Sequence, residues 1–169
     1  MKRIMVIGVS AGVGKSTFAK RLGELTKIEV HHLDTLYWKS GWVEAPLEEF
    51  RAAQEEIIHN YKWIIEGNYS STFDLRYQLA DTIFYLELPL RVCLYRVIKR
   101  RIQYHGKTRS DMTNGCPEKL DWDFIKFILT TYKSRKLKMA ERFQAKSDNK
   151  NIIVLNNKRD IEAFFEKWG

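Results

Sequence analysis

The sequence predicts an α/β fold in which a five-stranded parallel sheet is covered by helices on both faces. Short apolar runs alternate with stretches whose apolar residues recur at helical spacing, which is typical of β-α-β units. The runs are apolar at nearly every position, as expected for strands that are buried on both faces. The chain has 169 residues and shows no repeat, low-complexity segment or linker, so a single domain is predicted.

Five apolar runs are the predicted strands. The first precedes a glycine-rich loop, the second ends at an aspartate and the third ends before Glu66-Gly67-Asn68. Pro89 stops the fourth, because proline cannot continue the hydrogen bonding of a central strand. The predicted strands cover residues 2–7, 29–33, 63–65, 82–88 and 151–155.

Helical patterns fill the intervals between the strands. Phe18 and Leu22 begin the apolar face of the first helix, and Pro46 lies where the second would start. The predicted helices cover residues 16–26, 46–61, 72–80, 90–104, 121–146 and 159–168. Residues 105–117, between the two longest helices, are polar and include two glycines, which predicts a mobile loop.

The composition narrows the class of protein. A hydrophobic fraction of 44% and a charged fraction of 30% suit a soluble globular domain, and no apolar stretch approaches the length of a membrane span. Cys93 and Cys116 lack the spacing of metal ligands, so we expect reduced thiols in a cytoplasmic protein. The net charge of +8 favours binding either of nucleic acid or of polyphosphates. The sequence does not indicate an oligomeric state.

The most informative motif lies directly after the first apolar run, where Gly12, Gly14, Lys15 and Ser16 join a predicted strand to a predicted helix. In such loops backbone N–H groups surround phosphate oxygens, the lysine reaches the β- and γ-phosphates, and the serine hydroxyl binds Mg²⁺. A strict motif would have glycine where this chain has Val9, and a plain glycine-rich turn with a surface lysine is the alternative. We expect ATP and Mg²⁺ to bind here. The expected binding residues are Gly8, Ser10, Ala11, Gly12, Val13, Gly14, Lys15, Ser16 and Thr17, with Ser16 as the metal ligand.

Two acidic residues follow predicted strands. Ligands of parallel sheets bind at the carboxyl ends of the strands, so Asp34 could accept a proton from a substrate or hold the water shell of Mg²⁺. Its alternative role is to cap a turn or helix. Glu66 is a second candidate for either role, although Glu66-Gly67-Asn68 could also be only a turn. The sequence does not decide which carboxylate is the base.

Aromatic residues concentrate near these two strand ends. Trp38, Trp42, Tyr37 and Tyr69 could stack on a base or sugar, or could form a small satellite core under a loop. Adjacent His31 and His32 would point to opposite faces of a straight strand, so a metal-binding pair is not expected. The expected substrate-binding residues are Asp34, Trp38, Trp42, Glu66, Asn68 and Tyr69.

Arginines follow the fourth strand. Arg96 and Arg100 are four residues apart and share one helix face, and Arg109 lies in the polar loop beyond. One guanidinium group can donate two parallel hydrogen bonds to phosphate oxygens, and its charge can neutralise a phosphoryl group during transfer. The alternative is a solvated basic face, which is also the expectation for the basic stretch of the second long helix. We expect Lys15, Asp34, Arg96 and Arg100 to act in catalysis and Arg109 to contact nucleotide.

Three segments resemble the nucleotide-kinase branch of P-loop proteins, which includes adenylate, shikimate and gluconate kinases. They are the loop through residues 15–17, the run of residues 80–89, and residues 95–101, which are similar to the helix that leads into the lid of those kinases. The resemblance implies a three-layer P-loop NTPase fold, adenylate-kinase-like, with the first strand central. It also implies that Arg96 and Arg100 approach ATP and that residues 105–117 form a short lid.

Within that branch the chain is most similar to the group known as DNA topology modulation proteins. The similar segments are residues 32–38, 41–42, 66–69 and 115–118. The resemblance as a whole implies an ATP-dependent phosphotransferase with a small-molecule or nucleotide acceptor. The group name implies an alternative, a nucleotide-binding regulator that contacts DNA with little or no kinase turnover.

Overall fold

The computed structural model describes residues 1–109, 111–117, 121–145 and 150–168. Three residues named above fall outside these ranges. They are Ser110 of the expected lid, Glu118 of the segment 115–118, and Lys146 at the expected end of the second long helix.

A five-stranded parallel sheet is the centre of the fold, as predicted. Its strands are β1 (Arg3–Gly8), β2 (Val30–His32), β5 (Trp63–Glu66), β6 (Thr82–Leu86) and β7 (Asn151–Leu155). They lie in the order β2-β5-β1-β6-β7, so β1 is central, and every neighbouring pair is parallel. Two short antiparallel strands, β3 (Trp38–Lys39) and β4 (Val43–Glu44), form a separate hairpin.

Helices connect these strands and cover the sheet. Their bounds are α1 (Lys15–Thr26), α2 (Leu33–Tyr37), α3 (Leu47–Ile58), α4 (Phe73–Leu79), α5 (Leu90–Gln103), α6 (Trp122–Ala145) and α7 (Lys158–Trp168). One 3₁₀ turn, Ser70–Thr72, precedes α4. No helix of the described ranges is both long and apolar enough to cross a membrane.

Adjacent residues of β6 show that both faces of the sheet are covered. Phe84 packs on Phe18 of α1 and Phe164 of α7, at ring-centroid distances of 5.0 and 4.9 Å. Tyr85 points to the opposite face and packs on Phe143 of α6 at 5.5 Å. All five strand residues of β6 are buried, and so are all but the first of β1, which gives the central strands the apolar character seen in the sequence.

The structure differs from the prediction between β2 and α3. The second strand ends at His32, and α2 begins directly at Leu33, so Asp34 lies in the first turn of a helix and not at the end of the strand. Residues 38–44, for which no strand or helix was predicted, form the β3-β4 hairpin. Each hairpin strand has two residues, too few to show an alternating pattern. The fourth predicted strand also ends earlier, at Leu86 and not Leu88.

Candidate active site

The loop between β1 and α1 has the geometry of an anion site. Gly12 and Gly14 have φ values of 74° and 100°, in the left-handed region that favours glycine. Among the described residues no side chain caps the N-terminus of α1, and its first turn has no acidic residue. The N–H groups of that turn and the positive end of the helix dipole are therefore available to an anionic ligand.

The loop is held against α5. A Cβ atom on Gly12 would collide with the carbonyl oxygen of Cys93, so only glycine permits this close approach. Nη1 of Arg96 donates a hydrogen bond to the carbonyl of Val13 at 2.9 Å. Arg96 thus lies at the loop itself, where its guanidinium group both holds the backbone and brings positive charge beside it.

Glu66, at the end of β5, is buried next to the start of α1. Oγ of Ser16 donates to Oε2 of Glu66 at 3.1 Å, and Nζ of Lys15 lies 4.0 Å from Oε1. A hydroxyl and a carboxylate so close together are oxygen ligands of the kind that Mg²⁺ uses beside substrate phosphates. Among the described residues no group of three or more His, Cys, Asp and Glu side chains could hold a metal ion.

His32 joins this cluster, which the sequence did not predict. Nδ1 of His32 lies 2.8 Å from Oε2 of Glu66, because β2 and β5 pair with these two residues in register. Burial alone would lower the pKa of His32, but the hydrogen bond and charge of Glu66, together with the charges of Asp111 and Asp34, raise it. The available signal was the pairing of parallel strands, which places the last residues of neighbouring strands side by side.

Hydrogen bonds join the turn after β5 to the phosphate loop on one side and to α4 on the other. Asn68 accepts from the N–H of Gly8 at 3.0 Å and donates to its carbonyl at 2.8 Å. Fully buried Arg76 of α4 donates to the carbonyls of Gly67 and Tyr69 at 3.0 and 3.2 Å. Burial lowers the pKa of Arg76 to about 10, against the opposing charge of Glu66. These contacts hold Asn68 and its turn against the phosphate loop. The substrate contact of Asn68 stays a prediction, and no local sequence signal marks Arg76.

Asp34 faces the same region from α2. The hydroxyl of Tyr69 donates to Oδ1 of Asp34 at 2.6 Å. Burial and the charge of Glu66 raise the pKa of Asp34, while the Tyr69 hydrogen bond and the charges of Lys15 and Arg109 oppose the rise. A half-buried carboxylate with a raised pKa is suited to accept a proton.

The aromatic residues divide between the two roles considered for them. Tyr37 and Tyr69 pack on each other and on Phe50, with ring centroids 4.8 to 5.1 Å apart, and so join the edge of the main core. Tyr69 also lines the cleft described below. Trp38 and Trp42 lie on the hairpin at a centroid distance of 5.3 Å and line a cleft. Trp42 has a φ of 65°, which a bulky residue rarely adopts without tertiary support.

That support comes from residues 111–117. The carbonyl of Pro117 accepts a hydrogen bond from Nε1 of Trp42 at 3.1 Å, and the carbonyl of Gly115 accepts one from the N–H of Gly41 at 3.0 Å. Sγ of buried Cys116 donates to the carbonyl of Lys39 at 3.2 Å. The segment and the hairpin are thus joined by hydrogen bonds along their length.

These parts surround one cleft of about 1270 Å³. Most of the residues expected at the site line it. They are Ala11, Gly12, Val13, Gly14, Lys15, Ser16, Thr17, Asp34, Trp38, Trp42, Glu66, Asn68, Tyr69, Arg96, Arg100 and Arg109. Gly8 and Ser10 do not, and buried Ser10 lies behind the loop.

Comparisons with known proteins identify the fold. No protein-family model and no curated protein matches the chain. Among solved structures, a shikimate kinase from Bacteroides thetaiotaomicron is 15% identical with a TM-score of 0.55, over 98% of this chain and 95% of that one. A deoxyadenosine kinase from M. mycoides with bound dATP is 16% identical with a TM-score of 0.54, over 99% and 98% of the two chains.

A third neighbour is a sugar kinase from Janibacter sp. HTCC2649, which is 15% identical with a TM-score of 0.52, over 99% of this chain and 94% of that one. At such low identity the likeness concerns the fold alone. Together with the strand order β2-β5-β1-β6-β7 and the glycine-rich loop after the central strand, it shows that this chain has the α/β fold of P-loop kinases.

Proposed function

We propose that this chain is an ATP-dependent phosphotransferase that acts on a small hydroxyl-bearing acceptor. The observation that carries the proposal is that one cleft joins the uncapped N-terminus of α1 to the carboxylate of Asp34. A phosphate site alone would suit any nucleotide-binding protein. A half-buried carboxylate facing the same space adds a group that can take a proton from an acceptor hydroxyl.

The phosphate end would act by position and charge. Phosphoryl transfer needs little covalent chemistry from the protein, so most of the rate comes from alignment and neutralisation. Lys15, Arg96 and Arg100 supply positive side chains that line this end. Ser16 and Glu66 would hold Mg²⁺, which would supply positive charge between the terminal phosphates.

The acceptor end would supply the base. We assign that role to Asp34, because Tyr69 holds its carboxylate and burial raises its pKa. Glu66 is the other candidate that the sequence offered. Its contacts with Ser16 and His32 favour a role at the metal instead. Trp38 and Trp42 would form the wall beside the acceptor.

Residues 105–117 are proposed to act as a lid. Arg109 lines the cleft, and the part of this segment beyond Ser110 lies on the hairpin through the hydrogen bonds of Gly115, Cys116 and Pro117. Opening of this contact would admit ligands, and closure would exclude water from the transferred phosphoryl group.

The solved neighbours support a kinase and leave the acceptor open, since their titles name shikimate, deoxyadenosine and sugar kinases. The DNA-contacting alternative depends on the net charge of +8 and on the resemblance stated above. Arg96 and Arg100 line the cleft, which favours the phosphotransferase. Two free, buried cysteines suit the reducing conditions of the cytoplasm, where we propose that the protein acts.

The test is ADP release from the purified protein with nucleosides, nucleotides, sugars and small hydroxy acids, alongside DNA binding over a range of salt. We expect ADP release that depends on one class of acceptor. Mass spectrometry should show that this acceptor has gained a phosphoryl group. ATP binding without stimulation by any acceptor, combined with DNA binding that weakens steeply with salt, would favour the regulator instead.

A further inference from the structure

The two ends of the cleft carry opposite charge. The wall formed by α1, α5 and α7 presents cationic side chains, and the wall formed by α2, the hairpin, Arg109 and residues 111–112 presents carboxylates. The cations include Lys20, Arg21, Arg96, Lys99, Arg100 and Lys158. Glu162 of α7 also lines this wall, but it pairs with Arg21 at 3.0 Å. Asp121, which lines the cleft just before α6, accepts from the N–H of Phe124 at 2.7 Å. This wall is suited to a polyphosphate.

The acceptor wall has the reverse character. Asp34, Glu44 and Asp111 line it, and Glu66 lies at its base. In the described part of this wall, Arg109 is the one residue among the arginines and lysines that lines the cleft. Its Nε lies 3.5 Å from Oδ1 of Asp111. An acceptor with its own phosphate or carboxylate would therefore meet three carboxylates and a guanidinium group that is already paired. Repulsion between like charges should weaken the binding of such an acceptor on the order of 100-fold or more.

The apolar part of the same wall is formed by two indole side chains. Trp38 and Trp42 lie beside each other at an interplanar angle of 72°, so the two indoles form an angled surface and not a stack. Hydrogen bonds hold Trp42 and its hairpin in this arrangement without a ligand. Indole surfaces that are held in place can bind the face of a base or the apolar face of a sugar.

We infer that the acceptor is a hydroxyl compound without negative charge that presents a flat or apolar face to Trp38 and Trp42. This inference rests on the proposed function. Nucleosides and sugars share this chemistry, whereas nucleoside monophosphates and hydroxy acids do not. The cleft of about 1270 Å³ exceeds the roughly 300–1,000 Å³ typical of a site for one small ligand, which leaves room for a nucleotide and such an acceptor together.

The experiment compares matched pairs of acceptors at saturating ATP. Each nucleoside is measured against its 5′-monophosphate, and each sugar against its sugar acid, by the acceptor-dependent rate of ADP release. We expect the uncharged member of the best pair to have a kcat/KM at least about 100-fold higher. Comparison of the nucleoside pairs with the sugar pairs shows which of these two classes of acceptor the site recognises.

Variants test the charge and the indole surface separately. Glu44→Lys should lower the discrimination within the best pair by about tenfold, and Glu48→Lys, the same charge change on an exposed residue of α3 outside the cleft, should not.

Trp38→Leu should raise KM for the acceptor roughly 5- to 150-fold and leave KM for ATP unchanged, in line with losses of stacked bases. Trp122→Leu, at a tryptophan that is 72% exposed, is its control.

The outcomes separate this inference from the function on which it rests. Preference for the phosphorylated or carboxylated member of the pairs would overturn the inference and leave the phosphotransferase intact. An unchanged acceptor KM in folded Trp38→Leu would also overturn it. ATP binding with no stimulation by any compound would count against the phosphotransferase itself and so against both.

Discussion

The two ends of the cleft are built in different ways. The phosphate end consists of consecutive residues, 9–17, folded over the N-terminus of one helix and held by buried β1 and by Arg96 of α5. The acceptor end is assembled from three separate parts of the chain: residues 34–44, residues 66–69, and Arg109 with residues 111–117. We therefore expect the phosphate end to be stable without ligand, whereas the acceptor end depends on contacts between segments far apart in sequence.

The largest expected effect is at the phosphate end. Lys15→Ala should abolish measurable ATP binding by calorimetry and lower turnover on the order of 10³-fold, because the lysine of a phosphate loop contacts the β- and γ-phosphates directly. The circular dichroism spectrum should be unchanged, since the side chain faces the cleft. Lys62→Ala, at an exposed lysine before β5, is the matched control. Wild-type ATP affinity in folded Lys15→Ala would exclude the phosphate-loop assignment.

Removal of the base should be the next largest effect. Asp34→Asn should lower kcat by roughly 10²- to 10⁴-fold, the range for loss of a general base, with ATP affinity within a few fold. Steady-state kinetics and calorimetry measure the two quantities. If Asp34→Asn turns over normally with the true acceptor, the residue serves the structure of α2 alone.

Glu66→Gln tests whether Glu66 binds the metal ion or acts as the general base. Glu66 contacts Ser16 and His32, so its neutralisation should raise the Mg²⁺ concentration required for half-maximal rate by about tenfold, with kcat largely recovered at high Mg²⁺. A loss of kcat that no Mg²⁺ concentration restores would instead assign the base to Glu66. Magnesium titrations of both carboxylate variants provide the comparison.

This contrast also explains which parts of the fold and the site the sequence could predict. The five strands and the phosphate loop follow from patterns over consecutive residues, because a buried parallel strand and a glycine-rich turn each leave a local signal. The place of Asp34 on a helix, the hairpin, and the contacts of His32 and Arg76 depend on residues distant in sequence. Arg76 is a charged residue on a short helix, and only the fold places its guanidinium group under the carbonyls of Gly67 and Tyr69.

A smaller effect should follow from loss of the hydroxyl that holds Asp34. The base must be ionised, so the rate falls as the pH drops through its pKa. Burial and Glu66 raise the pKa of Asp34 from 3.8, and the Tyr69 hydrogen bond lowers it. Tyr69→Phe should therefore move the acidic limb of the pH profile of kcat upward by about one pH unit, the scale of one hydrogen bond to a charged group. A limb that stays in place would show that Tyr69 does not act on the reacting carboxylate.

The smallest expected effect concerns closure of the acceptor end. Cys116 is 1% exposed because residues 111–117 lie on the hairpin, whereas Cys93 is buried in α5 against the phosphate loop. If the segment opens as a lid, iodoacetamide should modify Cys116 faster than Cys93. A non-hydrolysable ATP analogue should slow the reaction at Cys116 several-fold, as read peptide by peptide by mass spectrometry.

Gly115→Ala makes this test independent of nucleotide. Gly115 has a φ of 84°, and a Cβ atom there would collide with Oγ of Ser40, so the variant should loosen the contact with the hairpin and speed modification of Cys116 alone. ATP affinity should change little, because the phosphate end does not depend on this contact. Equal rates at Cys116 with and without the analogue would make residues 105–117 an ordinary surface loop, and Arg109 would then lose its proposed place at the nucleotide. Equal acceleration at Cys93 in the variant would instead indicate general unfolding.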